Sequence, residues 1–435
     1  MGIFIHLTAL AAIPVQYWTQ PGGAQVYLVE SPAIAMVDVQ IDFDAGDRRD
    51  PPGQAGLASV MAGMLTKGVR ASGSDEAALD ENALGEAWAD LGAEFDAGAD
   101  SDRLTFSLRS LTDPELLGKA VALAAREIAE PAFPEAVWQR ERERMNAAIR
   151  ESNTRPATIA ARAYVQAVYG THPYGYEMTE ASLARIGVAD MRTAHAADVV
   201  ACRARISMVG AVTRAQADAM ATQLLARLPR VPCDSLPPLP VVPEVQPLAG
   251  AKEIRIPFDS AQAHVLIGQP GFKRADPDYF ALTVGNYILG AGGFVSRLTN
   301  EVREKRGLTY GVSSHFSPGL NAGSFTVALQ TRPDQALQAV EIVRQVVQNF
   351  VANGPTEAEL QAARENLIGG FALRIDSNRK LLGNIAGIAW NNLPLDYLDT
   401  WTQQVGKVTV ADIKAAFARK LQPEKMVTVI LGAAP

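Results

Sequence analysis

Cysteine is scarce. Cys202 and Cys233 are the only two, and they lack CxxC spacing. That excludes a zinc ribbon, which needs four closely paired ligands, and a vicinal redox pair; a disulfide between the two stays open. Histidine is nearly as scarce: none of His6, His172, His195, His264 and His315 has another histidine three or four residues away, so no helix offers paired imidazoles. His172, in the turn "YGTHPYGY", reads as a capping or packing residue. Excess positive charge is missing too. The net charge is -7, and the arginines of "WQRERERMNAAIRES" alternate with glutamates as on a solvated helix face, which argues against a nucleic-acid partner. No run approaches the roughly 20 apolar residues of a membrane span. A G-x-S-x-G nucleophile elbow is absent. "LGAGGFVSRL", residues 289–298, lacks the lysine of a phosphate loop and follows no strand, so its glycines read as close helix packing and a tight turn.

What is present suits a folded chain of two large domains: 435 residues, with 48% hydrophobic against 20% charged. A proline-dense stretch beginning near residue 228, "LPRVPCDSLPPLPVVPEVQPLAG", holds no helix or strand pattern and reads as a linker. We place the domains at 1–230 and 251–435, with the linker at 231–250. The same plan recurs on its two sides. Residues 91–138 and 306–360 each give two alternating strands joined by a glycine-containing turn, then an amphipathic helix, then a helix started by proline. The offset is about 220 residues, which indicates duplication of a whole domain. Strand runs also open each half, "VDVQIDFDAG" and "AHVLIGQPG". The predicted class is α+β: two homologous domains, each an antiparallel-rich sheet covered by helices on one side.

"LTNEVREKRGLTYGVSSHF", residues 298–316, is the one stretch that gathers polar chemistry. Arg303 ends a helix, Gly307 is a natural C-cap, and an alternating strand begins at Leu308. Arg303 and Tyr310 therefore come from adjoining ends of a helix and a strand. Taken alone, Arg303 does no more than complement the helix dipole, while Tyr310 lies half-buried on the sheet.

"GLASVMAGMLTKG", "HPYG", "LGAGGFVSRLTNEVREKRGLTYGVSS" and "GPTEAEL", in this order across duplicated halves, resemble the insulinase/pitrilysin family of zinc metallopeptidases over about residues 15 to 433. That family carries H-x-x-E-H on a helix: two histidines bind zinc and the glutamate is the general base. The corresponding slots here are Ser59, Ala62 and Gly63, which supply neither ligand nor base. The slot for the family's third ligand falls near Ala148, with Glu143 and Glu151 close enough to leave its position open. The family's Arg-x6-Tyr pair, by contrast, is matched by Arg303 and Tyr310, with Arg306 as a supporting candidate.

The resemblance implies a subunit that binds no zinc itself. It would contribute Arg303 and Tyr310 to a homologous H-x-x-E-H-bearing partner that holds the Zn2+, the heterodimer cleaving peptides. The alternative is a catalytically inert scaffold or binding subunit of a larger assembly. The start, "MGIFIHLTALAAIPVQYW", holds a short apolar run and an Ala9-Leu10-Ala11 triplet like a signal-peptidase site but no basic n-region. With the resemblance it points to the periplasm, the cytoplasm being the alternative.

Overall fold

The computed structural model describes residues 13–433. Its first sheet is built from β1 (Gln16–Thr19), β2 (Gln25–Glu30), β3 (Met36–Phe43), β4 (Glu94–Ala99), β5 (Leu104–Leu111) and β6 (Arg205–Gly210), in the order β1-β2-β6-β3-β5-β4. The second contains β7 (Lys252–Ile256), β8 (Ala263–Pro270), β9 (Thr309–Phe316), β10 (Ser324–Thr331) and β11 (Val427–Leu431), in the order β9-β10-β8-β11-β7. With β1 set aside, the two orders coincide strand for strand. Each sheet also has one parallel pair, β2 with β6 and β7 with β11, among antiparallel neighbours. The duplication read in the sequence is a duplication of topology.

Period-two patterning explains the first face of each sheet. On β5, Leu104, Phe106 and Leu108 point inward, toward the helix Pro114–Ala129. That helix starts where Asp113 accepts from the Glu115 and Leu116 amides and Pro114 occupies the first position, where its missing N–H costs nothing. The counterpart Ala336–Asn353 buries Val340, Val343, Val347 and Phe350 against Phe325 and Val327 of β10.

The second face is covered differently. The helix Pro156–Tyr169 belongs by sequence to the first half yet lies on the second sheet, where Ala160, Tyr164 and Val168 pack on Val427, Val429 and Leu431 of β11. Ile430, pointing the other way, joins the core beneath Ala336–Asn353. Its counterpart Asn378–Trp390 crosses in the opposite direction and sets Leu382, Ile385 and Ile388 with Tyr27, Val29 and Val209 of the first sheet. The two halves thus exchange one helix each. The Tyr164 hydroxyl pairs with the Phe325 carbonyl and Thr326 Oγ1, both at 2.9 Å. Only glycine fits below it: a Cβ on Gly268 would stand 1.9 Å from the Phe325 carbonyl and 2.2 Å from that hydroxyl. At the other crossing, the guanidinium groups of Arg103 and Arg205 lie 5.6 and 5.0 Å from the Trp390 ring.

A polar strut adds to the exchange. His172 Nδ1 accepts from the Tyr174 amide at 3.0 Å, which leaves the proton on Nε2, donated to the Pro243 carbonyl at 2.9 Å. The Tyr174 hydroxyl donates to Asp102 at 2.7 Å and accepts from the Asn321 amide. Asp102 also accepts from Arg48 and from the Leu320 amide. First half, connecting segment and second half meet there. Cys202 and Cys233 form a disulfide that ties the start of the segment to the first half.

Tyr164→Phe removes one hydroxyl from a buried pair of partners, and we expect it to cost about 1–2 kcal/mol. Because each half supplies part of the other's core, urea unfolding followed by tryptophan fluorescence and by circular dichroism should show one shared transition, moved to lower urea. Separate transitions for the two signals, or an unmoved midpoint, would contradict the exchange as the source of stability.

Candidate functional site

The helix Leu57–Leu65 is a well-made element without catalytic side chains. Gly56 precedes it in the left-handed region at φ 97°. Asp50 accepts from the Gly56 amide at 2.6 Å and from the Ala58 amide at 3.0 Å, so a carboxylate sits at the positive end of the helix. Burial pushes the Asp50 carboxyl up to about 7 despite these bonds. Leu57, Val60, Met61, Met64 and Leu65 face the core. Ser59 donates to Asp47 at 2.9 Å, and burial raises the Asp47 pKa above the usual carboxylate range. Ala62 is buried, at 1% exposure, whereas Gly63 is exposed, with open space where a side chain would project.

On the neighbouring helix Glu135–Ser152, Ala148, Glu143 and Glu151 are all exposed, and Glu151 pairs with Arg155. Among the described residues no three His, Cys, Asp or Glu side chains gather as a metal would require. A zinc ion does not fit this helix: one slot is a hydroxyl already donated to Asp47, one a methyl group, one a bare backbone. The remaining histidines do not compensate. His172 and His195 are committed to backbone partners, His195 through Nε2 to the Ile128 carbonyl at 2.8 Å, and burial lowers the pKa of both. His264 and His315 stand on different strands, β8 and β9, and His6 lies outside the described residues, as does most of the export-signal stretch.

Arg303 and Tyr310 are presented differently. Arg303 lies on a π-helical segment, Thr299–Glu304, a form that often marks functional positions. The segment closes at Gly307 (φ 62°), whose amide donates to the Arg303 carbonyl at 2.8 Å while the Leu308 amide reaches the Val302 carbonyl at 3.0 Å. β9 then opens on a bulge. Thr309 pairs with Thr331 and Val312 with Leu329, so Tyr310 and Gly311 together oppose Gln330. The buried Thr309 hydroxyl fixes this geometry, donating to the Gln330 carbonyl at 2.5 Å and accepting from the Gly311 amide at 3.1 Å.

The result is a tyrosine 89% exposed on an edge strand. The Arg303 guanidinium lies 4.8 Å from the Phe294 ring and 3.4 Å from Glu304. Arg306 points elsewhere: it donates to the Glu301 carbonyl at 2.7 Å and to its carboxylate at 2.8 Å, sealing the helix end.

Phe294 was not singled out in the sequence, although Gly293 (φ 61°) marks the turn that exposes it. The glycine cluster otherwise serves packing as expected: a Cβ on Gly290 would lie 2.5 Å from the Ser314 amide nitrogen.

Residues 25–182 match the model of insulinase (peptidase family M16), and residues 185–367 match that of the peptidase M16 inactive domain. A crystal structure of a peptidase M16 inactive domain from Pseudomonas fluorescens is 34% identical, with TM-score 0.89 over 97% of this chain and 98% of its own. The chain belongs to peptidase family M16. M16 relatives include an uncharacterized zinc protease of Mycobacterium leprae, 25% identical over 95% of this chain and 91% of its own. A non-peptidase homolog of Helicobacter pylori is also 25% identical, over 95% of this chain and 92% of its own. The fold recurs in the periplasmic protease PqqL of Escherichia coli, at 18% identity and TM-score 0.80, where the match covers 98% of this chain but 46% of that one.

For this M16 chain we expect no stoichiometric zinc after chelation and remetallation, measured by elemental analysis. The triple variant Ser59→His, Ala62→Glu, Gly63→His should at most bind zinc weakly. Gly63 has room for an imidazole, but Ala62 has no space for a carboxylate and neither Ala148 nor its neighbours supply an oriented third ligand. One tightly held zinc per unmodified chain would refute the assignment.

Proposed function

We propose that this chain is the metal-free subunit of a heterodimeric zinc endopeptidase and lends Arg303 and Tyr310 to the active site of its partner. One observation carries the proposal: a bulge holds Tyr310 outward, where it stabilises almost nothing inside the chain, with the half-exposed Arg303 on the π-helical turn that precedes its strand, while the helix that should hold metal carries Ser59, Ala62 and Gly63. The partner is a homologous subunit with H-x-x-E-H, whose zinc supplies the activated water and Lewis-acid chemistry. This chain binds and orients. The Tyr310 hydroxyl and Arg303 guanidinium donate hydrogen bonds to the carbonyl of an extended peptide and to the oxyanion that develops on it, and their fixed placement avoids reorganisation during the step. Phe294 steadies the guanidinium from one side.

The length of PqqL supports a two-unit assembly, because a match over 46% of that chain leaves room for a second unit of this size. The Cys202–Cys233 disulfide and that protein's periplasmic setting support an oxidising, periplasmic location. The H. pylori relative named a non-peptidase homolog favours a second reading, a scaffold or binding subunit.

The deciding measurement is kinetic. In the assembled heterodimer, Tyr310→Phe should lower kcat by on the order of 10²-fold while KM changes far less, the pattern of a lost oxyanion donor. Arg303→Ala should act in the same direction, with assembly confirmed by size for both. Unchanged kinetics in both variants would assign the chain to the scaffold reading.

A further inference from the structure

Tyr310 is also the rim of a cleft of about 430 Å³ that lies between the two halves of the chain. One wall is the exchanged helix Pro156–Tyr169, which turns Ala157, Ala160 and Ala161 toward the opening. The floor is the second sheet, through Leu266 of β8 and Ala328 of β10. Residues of alternate parity on these strands, Val265 and Leu329, send their side chains to the core on the other face. His264 and Gln330 are direct cross-strand neighbours and both line the cleft, with Gln262 at its end. Its volume falls within the roughly 300–1,000 Å³ usual for ligand sites.

Charge decides what the cleft can hold. No Asp, Glu, Lys or Arg lines it. Burial alone lowers the His264 pKa, with no acidic neighbour to oppose it, so near neutral pH the ring is uncharged. A charged group entering would shed water without an ionic partner, which is costly. A bulky apolar group would meet alanine methyl groups and Leu266, with hydrogen-bonding groups left at the rim.

We propose that this cleft is a substrate side-chain pocket that admits bulky uncharged residues and rejects charged ones. The occupant is the side chain of a peptide residue next to the carbonyl held by Tyr310, since Tyr310 and Gly311 of the bulge form one edge of the opening. The pocket rests on the reading of Tyr310 as a substrate-binding residue. It adds a specificity that neither half has alone, because its wall comes from the first half and its floor from the second.

The test is cleavage of a peptide library by the assembled heterodimer, with the residue at each position near the scissile bond varied among Phe, Leu, Ala, Asp and Lys. The unmodified protein should prefer Phe or Leu over Asp and Lys at one position by on the order of 10-fold or more in kcat/KM, the scale of a small pocket misfit. Ala161 is exposed, so it tolerates change. Ala161→Trp should fill the pocket and move that preference to Ala, and Ala161→Asp should raise acceptance of Lys by a similar factor. An unaltered profile in both variants, while Tyr310→Phe still slows turnover, overturns the pocket and leaves the catalytic reading standing. A shifted profile with Tyr310→Phe unaffected supports the pocket and overturns the catalytic role of the hydroxyl.

Discussion

Each sheet in this molecule has two apolar faces, and each half of the chain covers only one of them. The exchanged helices Pro156–Tyr169 and Asn378–Trp390 supply the missing covers, so Val427, Val429 and Leu431 of one sheet, and Tyr27, Val29 and Val209 of the other, are buried only when the halves are together. Burying such residues provides on the order of 25 cal/mol per Å² of apolar surface. A linker alone would leave the two sheets free to move. The exchange fixes their relation instead, and His172, Tyr174 and Asp102 lock it with hydrogen bonds that reach Pro243, Leu320 and Asn321.

The site depends on this relation. Tyr310 stands on the outermost strand of the second sheet, and what lies beside it is a helix from the first half. If the helix were supplied locally, the alanine wall would belong to another stretch of sequence and the cleft would have a different shape. Gly268 shows how closely the two parts meet, since the Tyr164 hydroxyl occupies the space a Cβ would need. Precision at this crossing is what places Ala157 and Ala161 within reach of the bulge.

Much of this was legible in the sequence, and for physical reasons. Duplication leaves its trace in repeated strand and helix periods, and the glycine at 307 marks a helix end because few other residues adopt its backbone conformation. That Ser59, Ala62 and Gly63 carry neither imidazole nor carboxylate is a statement about side-chain identity, which sequence gives directly. The helix exchange was not legible. Pro156–Tyr169 and Asn378–Trp390 have amphipathic patterns that any apolar face satisfies, and nothing in their spacing says which sheet they will meet. The bulge at Tyr310 escaped for a related reason. Two residues opposing one is a property of strand register, which appears only when β9 is laid beside β10. Arg306 looked like a companion of Arg303, yet its position beyond the helix end lets it turn back to Glu301.

The two motifs inherited from a peptidase fold stand in different physical situations, and the difference separates structure from function. The helix Leu57–Leu65 would persist without chemistry, because most of its residues are core and Asp50 holds its start. Its presence is explained by packing alone. Tyr310 has no such explanation. At 89% exposure it adds almost nothing to the hydrophobic core, and an aromatic ring held out on an edge strand adds the hazard of unwanted association. The fold nevertheless spends a bulge and a buried threonine hydroxyl on presenting it. A feature that the chain's own stability does not require, built with this much local specification, is what the proposed function accounts for: the donor is presented to a molecule that approaches from outside.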